Sequence, residues 1–596
     1  MTLPAIRRHG VLFLLTGILL LSAASRLIYF TVLPVNWDEV WSAWQTLGSA
    51  ADTIRWTPTD WPPLFFLLLW AWKGVVGIRP EVLRMLSVLL SLIGIACFYR
   101  VSRRLWNERV AVLATLAYAA VAYDIFLSVL IRGYIPVLAL TPLALWLTIR
   151  YFDHPSLRRA IVLALSLLAM YFSHYTSIFI FLLIGLCTLF IYRRKIWRWW
   201  LPMLFVAPFI LYDVLSKRDL FLTRTGYNAT LALPPLPTAL YNAFSALLGP
   251  PLIVWMVLFV AATALIILRR RLTWKALAML AWVVALALPY FFQRNIGLFQ
   301  DYRYLWWVLP GFAWWIGLGL SYLPRRGAYV AAIGLAVLMF WPGLLDKFQG
   351  IVYRTDVPLY DNLRTLKELL RPGDVVTVDK NNICGPIEAW DYFQKVEFPT
   401  GLPYVSDPKG YRRVWYITTN WLSDPATVKA VETNRVPGKF FGLPTCLFRL
   451  YEGAPNEAGV LFENGLRFHG AELSGVPTAQ GLVFHEGESI HIRLWWSIDR
   501  PITADYSIGL YAMTPMGLAQ DDGPPHVPDE SPQTSHWVTG RYYVEERDLR
   551  LPYPLDEGRF TVYLSVYQWW DNHRITAPGV DEHTLLPLQT IDVHAW

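Results

Sequence analysis

Two adjacent carboxylates, Asp38 and Glu39, directly follow the first long apolar run of the chain, in the sequence Val-Asn-Trp-Asp-Glu-Val-Trp-Ser. A carboxylate at a membrane boundary is costly to desolvate, so an acid in this position is a candidate for function. One carboxylate can serve as the general base that takes the proton of an attacking hydroxyl. The alternative is a pair of solvated loop acids, which these two residues alone do not exclude.

A second candidate segment contains Arg132 and Tyr134, where Arg-Gly-Tyr opens a later apolar run. The planar guanidinium of an arginine matches a phosphate or pyrophosphate at the water boundary. The structural alternative is an interfacial arginine that extends toward lipid headgroups.

Further polar residues at the ends of apolar runs are candidates for the same site. A lone histidine in a turn is usually structural. These residues therefore become stronger candidates only if they lie together in the fold. They are Asp60 before Trp-Pro-Pro-Leu, the pair His174 and Tyr175 between two apolar runs, and Arg303 with Tyr304 in Asp-Tyr-Arg-Tyr.

The composition defines the elements that must hold these residues. Of the 596 residues 55% are hydrophobic and only 16% are charged, and the mean hydropathy is +0.37, whereas soluble domains carry about 25% charged residues. Up to about Asp346 the charges lie mainly between long apolar runs, and beyond it they are spread evenly. This pattern excludes a wholly soluble, disordered or fibrous protein. It predicts a membrane half followed by a soluble half.

The net charge of +8 does not indicate nucleic-acid binding. In the membrane half the Lys and Arg residues form short clusters at the ends of apolar runs, which are topology signals. No basic face with interleaved aromatic residues is present.

Eleven apolar runs are interpreted as membrane-spanning helices, because about 20 apolar residues cross the hydrocarbon core. The first follows Arg7, Arg8 and His9, which places the N-terminus in the cytoplasm, and a cleaved signal peptide is the competing interpretation. The runs are Gly10 to Leu33, Val82 to Val101, Val110 to Phe126, Tyr134 to Ile149, Ala160 to Phe172, Thr176 to Tyr192, Trp199 to Leu215, Pro250 to Leu268, Trp274 to Phe291, Tyr304 to Tyr322 and Ala328 to Leu345.

The basic clusters are consistent with this topology, because all of them fall on the side of the membrane that holds the N-terminus. An odd number of spans then places the C-terminal half outside a plasma or inner membrane. The apolar segment Pro62 to Ile78 is interpreted as a helix at the outer surface, since a span there would invert every later cluster. The clusters lie at Arg100 to Arg109, Arg150 to Arg159, Arg193 to Arg198, Arg269 to Lys275 and Arg325 to Arg326.

The soluble half divides into two parts, so the predicted domains are residues 1–346 in the membrane, an α/β module over 347–455 and a β-sandwich over 456–596. A helical pattern from Leu359 to Leu370 precedes the strand-like Val375 to Val378, whereas apolar alternation dominates after Asn456. Cys384 and Cys446 can pair if this half faces an oxidising compartment.

Two aromatic pairs, Trp495-Trp496 and Trp569-Trp570, stand in the predicted sandwich. Such residues bury large areas, so the favoured interpretation is that they fill the core. Stacking on sugars is the alternative.

Six motifs follow one another along the membrane half. They are Asp38-Glu39, Pro62-Pro-Leu-Phe-Phe-Leu-Leu-Leu69, the stretch from Arg84 to Arg104 that ends in Ser-Arg-Arg-Leu-Trp106, Arg132-Gly-Tyr134, His174-Tyr175 and Arg303-Tyr304. In this order they resemble the membrane glycosyltransferases of the C-type fold. Specifically, they resemble the bacterial family 39 group, which is related to protein O-mannosyltransferases and to the aminoarabinose transferases of lipid A. The resemblance covers about residues 5 to 345.

The resemblance implies an activity and a set of roles. Such enzymes transfer a sugar from a polyprenyl-phosphate donor to an acceptor on the outer face of the membrane. Asp38 would be the catalytic base, with Glu39 beside it as an orienting or auxiliary acid. The positions that match those near the lipid phosphate are Arg132, Tyr134, Arg303 and Tyr304.

The sequence also departs from the family pattern in two motifs. Many members read Gln-Glu-Ala-Arg-x-Tyr where this chain has Val-Leu-Ile-Arg-Gly-Tyr, so the acidic partner of Arg132 is absent. They commonly read His-Pro-Pro-Leu where this chain has Trp61-Pro-Pro-Leu. Asp60 or His174 are the candidates to compensate. No cofactor is identified, and a divalent metal stays open because no ligand set is legible.

Three interpretations of the activity are carried forward. The first is an inverting transferase, which needs no Gly-rich phosphate loop, and the sequence shows none in a plausible context. Its acceptor hydroxyl belongs to a lipid, a polysaccharide or a protein. The second is a transporter or flippase of lipid-linked saccharides, which is less favoured because the candidates cluster at one face and no duplicated half is visible. The third is an inactive scaffold of the same fold.

Overall fold

The computed structural model describes residues 3–219, 234–292, 304–352, 358–379, 384–419, 423–478, 481–528, 530–555 and 557–594. They form two compact units. The first contains Met1–Val357 and Asp391–Val396, and the second contains Pro358–Trp390 and Glu397–Trp596.

The first unit is helical, as its apolar runs predict. Its helices are α1 (Leu3–Phe30), α2 (Trp37–Trp44), α3 (Ala50–Trp56), α4 (Leu64–Val76), α5 (Pro80–Leu105), α6 (Glu108–Ala120), α7 (Ala122–Ser128), α8 (Tyr134–Asp153), α9 (Leu157–Tyr171), α10 (Ser177–Tyr192), α11 (Trp200–Ser216), α12 (Leu236–Leu248), α13 (Leu252–Leu268), α14 (Trp274–Val284), α15 (Leu288–Phe292), α16 (Leu309–Leu320), α17 (Arg325–Leu338) and α18 (Gly343–Val352).

Within the described ranges, five helical segments are long and apolar enough to cross a membrane, or up to seven if each of two bent pairs is a single span. The bent pairs are α6 with α7, at 64°, and α12 with α13, at 105°. The eleven predicted spans therefore stay a prediction. Helix α4, which falls in the predicted surface segment, is 13 residues long. At about 1.5 Å per residue it is shorter than a hydrocarbon core of about 30 Å.

A buried ion pair joins three helices of this unit. Arg26 of α1 donates from Nη2 to Asp124 of α7 at 2.6 Å and from Nε to Ser91 of α5 at 2.8 Å. Both charged side chains are buried. An unpaired charge in this environment would be very costly, so the pair fixes α1 against the bent segment that leads to Arg132.

The described part of the second unit forms three sheets. Its helices are α19 (Leu359–Leu369) and α21 (Pro425–Glu432). Helix α20 (Ile387–Glu397) has residues Asp391–Val396 in the first unit and its remaining residues in the second. The strands of the second unit are β1 (Val375–Val378), β2 (Arg413–Thr418), β3 (Val436–Leu443), β4 (Cys446–Glu452), β5 (Val460–Leu461), β6 (Leu466–Ser474), β7 (Val476–Thr478), β8 (Gly481–His485), β9 (Ser489–Ile498), β10 (Tyr506–Thr514), β11 (Gly517–Gly523), β12 (Tyr543–Arg550), β13 (Gly558–Gln568) and β14 (Leu586–His594).

The order of the strands separates an α/β part from an all-β part. The first sheet has the order β1-β2-β4-β3, with β1 and β2 parallel. The other two sheets have the orders β11-β10-β13-β14-β8-β7 and β12-β9-β6-β5. Cys384 and Cys446, which the sequence leaves as an open pairing, form a disulfide.

The aromatic pairs of the sandwich do not share one environment. Trp496 lies in the apolar core, and Trp495 is buried outside that core cluster. Trp569 and Trp570 are 64% and 49% exposed. The prediction of a core position is therefore wrong for this second pair, because both residues follow the end of β13 and leave the alternation that turns side chains inward.

Candidate functional site

Helix α2 places the two adjacent carboxylates in its first turn. The side chain of Asn36 accepts a hydrogen bond from the backbone N–H of Glu39 at 3.0 Å, and the Glu39 carboxylate accepts from the N–H of Asn36 at 3.3 Å. This reciprocal capping box starts the helix at Trp37. Because successive residues of a helix point about 100° apart, Asp38 and Glu39 enter different surroundings.

Glu39 is fully buried and bound by Arg84 of α5. The guanidinium donates from Nε to Oε1 at 2.8 Å and from Nη2 to Oε2 at 2.7 Å. The backbone N–H of Ile131 donates to Oε1 at 3.1 Å. Arg84 also donates to the carbonyl oxygens of Phe30, Leu33 and Pro34. Glu39 thus ties α2 to α5 and to the segment just before Arg132.

Asp38 points the other way, and its side chain is 38% exposed. Its Oδ1 lies 3.6 Å from Nη2 of Arg132. The same guanidinium donates from Nη1 to the carbonyl oxygen of Asp38 at 3.2 Å and to Oγ of Ser42 at 3.3 Å. Ser42 stands one helical turn after Asp38, so one face of α2 receives Arg132.

Arg132 itself is only 6% exposed. Its guanidinium carbon lies 4.2 Å from the centre of the Trp61 ring, in a cation–π contact. Among the described residues, its buried Nε has no hydrogen-bond partner. The next residue is Gly133, where an added Cβ would stand 2.8 Å from the carbonyl oxygen of Ser173. A glycine is needed here because the Arg132 segment passes so close to the turn that carries His174.

His174 lies at the centre of an aromatic group beside Arg132. Its ring centre is 5.5 Å from that of Trp61, 4.7 Å from Tyr134 and 6.2 Å from Tyr304. Its Nδ1 is 2.7 Å from Oγ1 of Thr176. Burial, reinforced by the charge of Arg132, lowers the pKa of His174 to about 3. The imidazole is therefore neutral at pH 7 and does not add a second cation to the site.

Tyr175 and Asp60 lie on the side of this group that faces Lys217. The Nζ atom of Lys217 donates to the hydroxyl of Tyr175 and pairs with Asp213 at 2.9 Å. Burial raises the pKa of the Tyr175 phenol, and the charges of Asp213 and Asp60 raise it further. Asp60 is partly buried. These residues form a second polar group next to His174.

The structure thus brings together most of the residues that the sequence singled out. Those near Arg132 are Asp38, Tyr134, His174 and Tyr304, whereas Arg303 lies outside the described residues. The sequence interpretation gave no role to Asn36, Ser42, Trp61, Arg84 or Lys217. Of these, Arg84 carried a usable signal, because a charge inside an apolar run needs a buried partner.

The described residues contain no cluster of three or more His, Cys, Asp or Glu side chains arranged to hold a metal ion. Metal dependence, which the sequence left open, stays open.

These features define a multi-pass membrane protein with a polar site built around α2 and Arg132. Residues 60–216 match the family described as dolichyl-phosphate-mannose-protein mannosyltransferase. The matched range contains Arg132 and the turn with His174. The resemblance to family 39 that the motifs indicate is thereby confirmed.

Solved structures with a similar course of the chain are distant in sequence. ArnT from Cupriavidus metallidurans in the apo state is 14% identical, with a TM-score of 0.48 over 73% of this chain and 98% of that chain. The same protein bound to undecaprenyl phosphate is 13% identical, with a TM-score of 0.44 over the same shares. The Archaeoglobus fulgidus oligosaccharyltransferase in the apo form is 11% identical, with a TM-score of 0.41 over 99% of this chain and 100% of that chain. No curated protein sequence matches the chain.

Proposed function

We propose that this chain is a membrane glycosyltransferase that moves a sugar from a polyprenyl-phosphate donor to an acceptor hydroxyl at the outer face. Asp38 is the general base. The observation that carries the proposal is an accessible carboxylate 3.6 Å from a buried guanidinium, in Asp38 and Arg132. The family match over residues 60–216 supports this donor class, because its description names a lipid-phosphate-linked sugar.

Arg132 is the proposed ligand of the donor phosphate. Its Nη1 donates to the Asp38 carbonyl and to Ser42, while its buried Nε has no described partner. Leaving a buried donor unsatisfied costs about 1–3 kcal/mol, and a phosphate oxygen accepting from Nε would remove that cost. Tyr134 and Tyr304 line the neighbouring aromatic group, and Arg303 remains the proposed second cation.

The proposed reaction is a single displacement at the anomeric carbon. The acceptor oxygen forms the new bond as Asp38 takes its proton, and the bond to the polyprenyl phosphate breaks with its electron pair on the phosphate. The leaving group is a stable anion, so it needs charge neutralisation by Arg132 and no general acid. One displacement inverts the anomeric configuration.

Glu39 acts as the orienting acid in this proposal. Its carboxylate is occupied by Arg84 and by the backbone N–H of Ile131, so it positions α2 without touching substrate. His174, Asp60 and Tyr175 are accessory groups. A neutral His174 shapes the pocket beside Arg132 instead of binding phosphate by charge.

The proposed setting is a plasma or inner membrane with a cytoplasmic N-terminus. The soluble half, divided into residues 347–455 and 456–596 after a membrane domain of residues 1–346, stands outside. The disulfide between Cys384 and Cys446 supports an oxidising compartment for this half. A flippase of lipid-linked saccharides and an inactive scaffold are the alternatives.

Transfer from radiolabelled polyprenyl-phosphate sugars by the purified protein in detergent tests the proposal. The Asp38→Asn variant should lower the rate of transfer by about 10²–10⁴ while the protein keeps its melting temperature. Asp52→Asn is the matched control, because Asp52 is an acid of the neighbouring helix α3 with its own partner, Arg55. Full transfer by Asp38→Asn would refute the base, and donor-induced thermal stabilisation without transfer by the wild type would favour the flippase or the scaffold.

A further inference from the structure

Two adjacent tryptophans, Trp569 and Trp570, are exposed on the surface of the second unit. They are 64% and 49% exposed, whereas Trp495, Trp496 and Trp537 of the same sandwich are buried. An indole is a large apolar surface with one polar N–H, and folding normally removes most of it from water. Neither residue belongs to the apolar core cluster of the sandwich, so the exposed part of both indoles is available to a ligand.

The turn that carries the pair is closed by hydrogen bonds of the backbone. The N–H of Asn572 donates to the carbonyl of Gln568 at 2.8 Å, and the N–H of Gln568 donates to the carbonyl of His573 at 2.9 Å. The N–H of His573 also donates to Oδ1 of Asp571 at 2.9 Å. A turn fixed in this way has little backbone conformational entropy left to lose on binding.

The rings are arranged so that flat indole surface stays open. The ring centres of Trp569 and Trp570 are 5.9 Å apart and their planes meet at 89°. Trp570 is 6.5 Å from Tyr506, with planes at 47°. An edge-to-face pair covers at most one face of one ring, so contact within the pair leaves the other indole faces uncovered.

We propose that Trp569 and Trp570 form a binding site for a neutral glycan. The C–H faces of pyranose rings would lie on the indoles, and the exposed polar side chains of the same turn would bond the hydroxyls. These are Asp571, Asn572 and His573. The carboxylate of Asp571 disfavours an anionic lipid surface as the occupant. The site is independent of Asp38; if the proposed function holds as well, the glycan is the acceptor or part of it.

Surface plasmon resonance on the full-length protein in detergent tests the site. The probes are four hexasaccharides: β-1,4-linked glucose, β-1,4-linked N-acetylglucosamine, β-1,4-linked xylose and α-1,6-linked mannose. At least one should bind the wild type. The double variant Trp569→Ala/Trp570→Ala should weaken that binding at least tenfold, and Trp569→Phe/Trp570→Phe should keep part of it. Tyr553→Ala is the control, because Tyr553 is 75% exposed on the same unit.

Three results would overturn the glycan site. They are no binding of any probe to the wild type, undiminished binding by the double alanine variant, and an equal loss in Tyr553→Ala. Contact of the two tryptophans with lipid is tested separately, in nanodiscs that contain brominated phosphatidylcholine. The fluorescence of Trp569 and Trp570 is obtained as the difference between the wild type and the double Phe variant. Quenching of this fluorescence by the brominated lipid would show that the pair contacts the membrane. Transfer to a short acceptor alcohol is measured in parallel and should be unchanged in the double alanine variant. This second measurement distinguishes a failure of the glycan site from a failure of the chemistry proposed for Asp38.

Discussion

Arg84 and Glu39 form a buried bidentate ion pair, with N–O distances of 2.8 and 2.7 Å, at the turn of α2 that also exposes Asp38. Both side chains are almost fully removed from solvent. The two neighbouring acids of α2 therefore have different tasks: one anchors the helix, and the other faces the site.

Replacing Glu39 by Ala should destabilise the first unit. The change leaves the Arg84 guanidinium charged and buried without its carboxylate, which costs about 3–5 kcal/mol. We expect a lower melting temperature in detergent, and light scattering or intrinsic fluorescence measures it. A double change to Glu39→Ala/Arg84→Met should recover part of the loss, and an unchanged melting temperature in Glu39→Ala would contradict the anchoring role.

Replacing Asp38 by Asn should act on rate and not on stability. The side chain is partly exposed, so the amide is tolerated, but it no longer accepts the proton of the acceptor hydroxyl. Loss of a general base typically lowers kcat by about 10²–10⁴. Initial rates of sugar transfer at saturating donor measure the effect, and a change in KM alone would argue against proton transfer by Asp38.

Arg132→Lys should behave as a damaging substitution. The ammonium of lysine cannot reach the Asp38 carbonyl, Ser42 and a phosphate at once, and it loses the planar contact with Trp61. We expect the donor KM to rise about tenfold, since one charge-assisted hydrogen bond contributes about 1.5 kcal/mol or more. Trp61→Ala should raise the donor KM less, by the smaller cation–π energy. A wild-type KM in Arg132→Lys would contradict the phosphate contact.

His174 should make the protein less stable in acid. The pKa of its imidazole is lowered from an unfolded value of 6.5 to about 3. The unfolded state therefore binds the extra proton first, and the folding free energy contributed here is complete above pH 6.5 and falls as the pH drops toward 3, by up to about 1.4 kcal/mol per pH unit. Urea titrations at several pH values measure this slope. His174→Gln should flatten it, and an equal slope in the variant would place the effect elsewhere.

Reduction of the disulfide should destabilise the second unit. The bond joins Cys384 to Cys446 across 62 residues, and closing such a loop stabilises a fold by about 2–4 kcal/mol. The double variant Cys384→Ser/Cys446→Ser should unfold at lower temperature without loss of Asp38-dependent transfer. Dithiothreitol should have no further effect on that variant, which is the control for reduction.

Several elements were predictable from the sequence because apolar runs and their flanking charges are local properties of the chain. The predicted spans from Val82 to Val101 and from Thr176 to Tyr192 coincide with α5 (Pro80–Leu105) and α10 (Ser177–Tyr192). The run from Val110 to Phe126 instead breaks at Val121 into two helices at 64°. The run contains neither Pro nor Gly, which are common local causes of a sharp break, so the sequence pattern gives no signal of the bend.

The motifs by themselves singled out the residue types on which the proposed chemistry depends: a carboxylate pair after α1, an arginine before α8 and a histidine turn before α10. Only the tertiary structure decided how the pair divides its work. Asp38 and Glu39 are adjacent in the chain, but Arg84 lies 45 residues from Glu39, and Arg132 lies 94 residues from Asp38. The assignment therefore rests on long-range packing, because a carboxylate whose oxygens are saturated by a buried guanidinium is held in place, whereas its exposed neighbour remains accessible to a substrate.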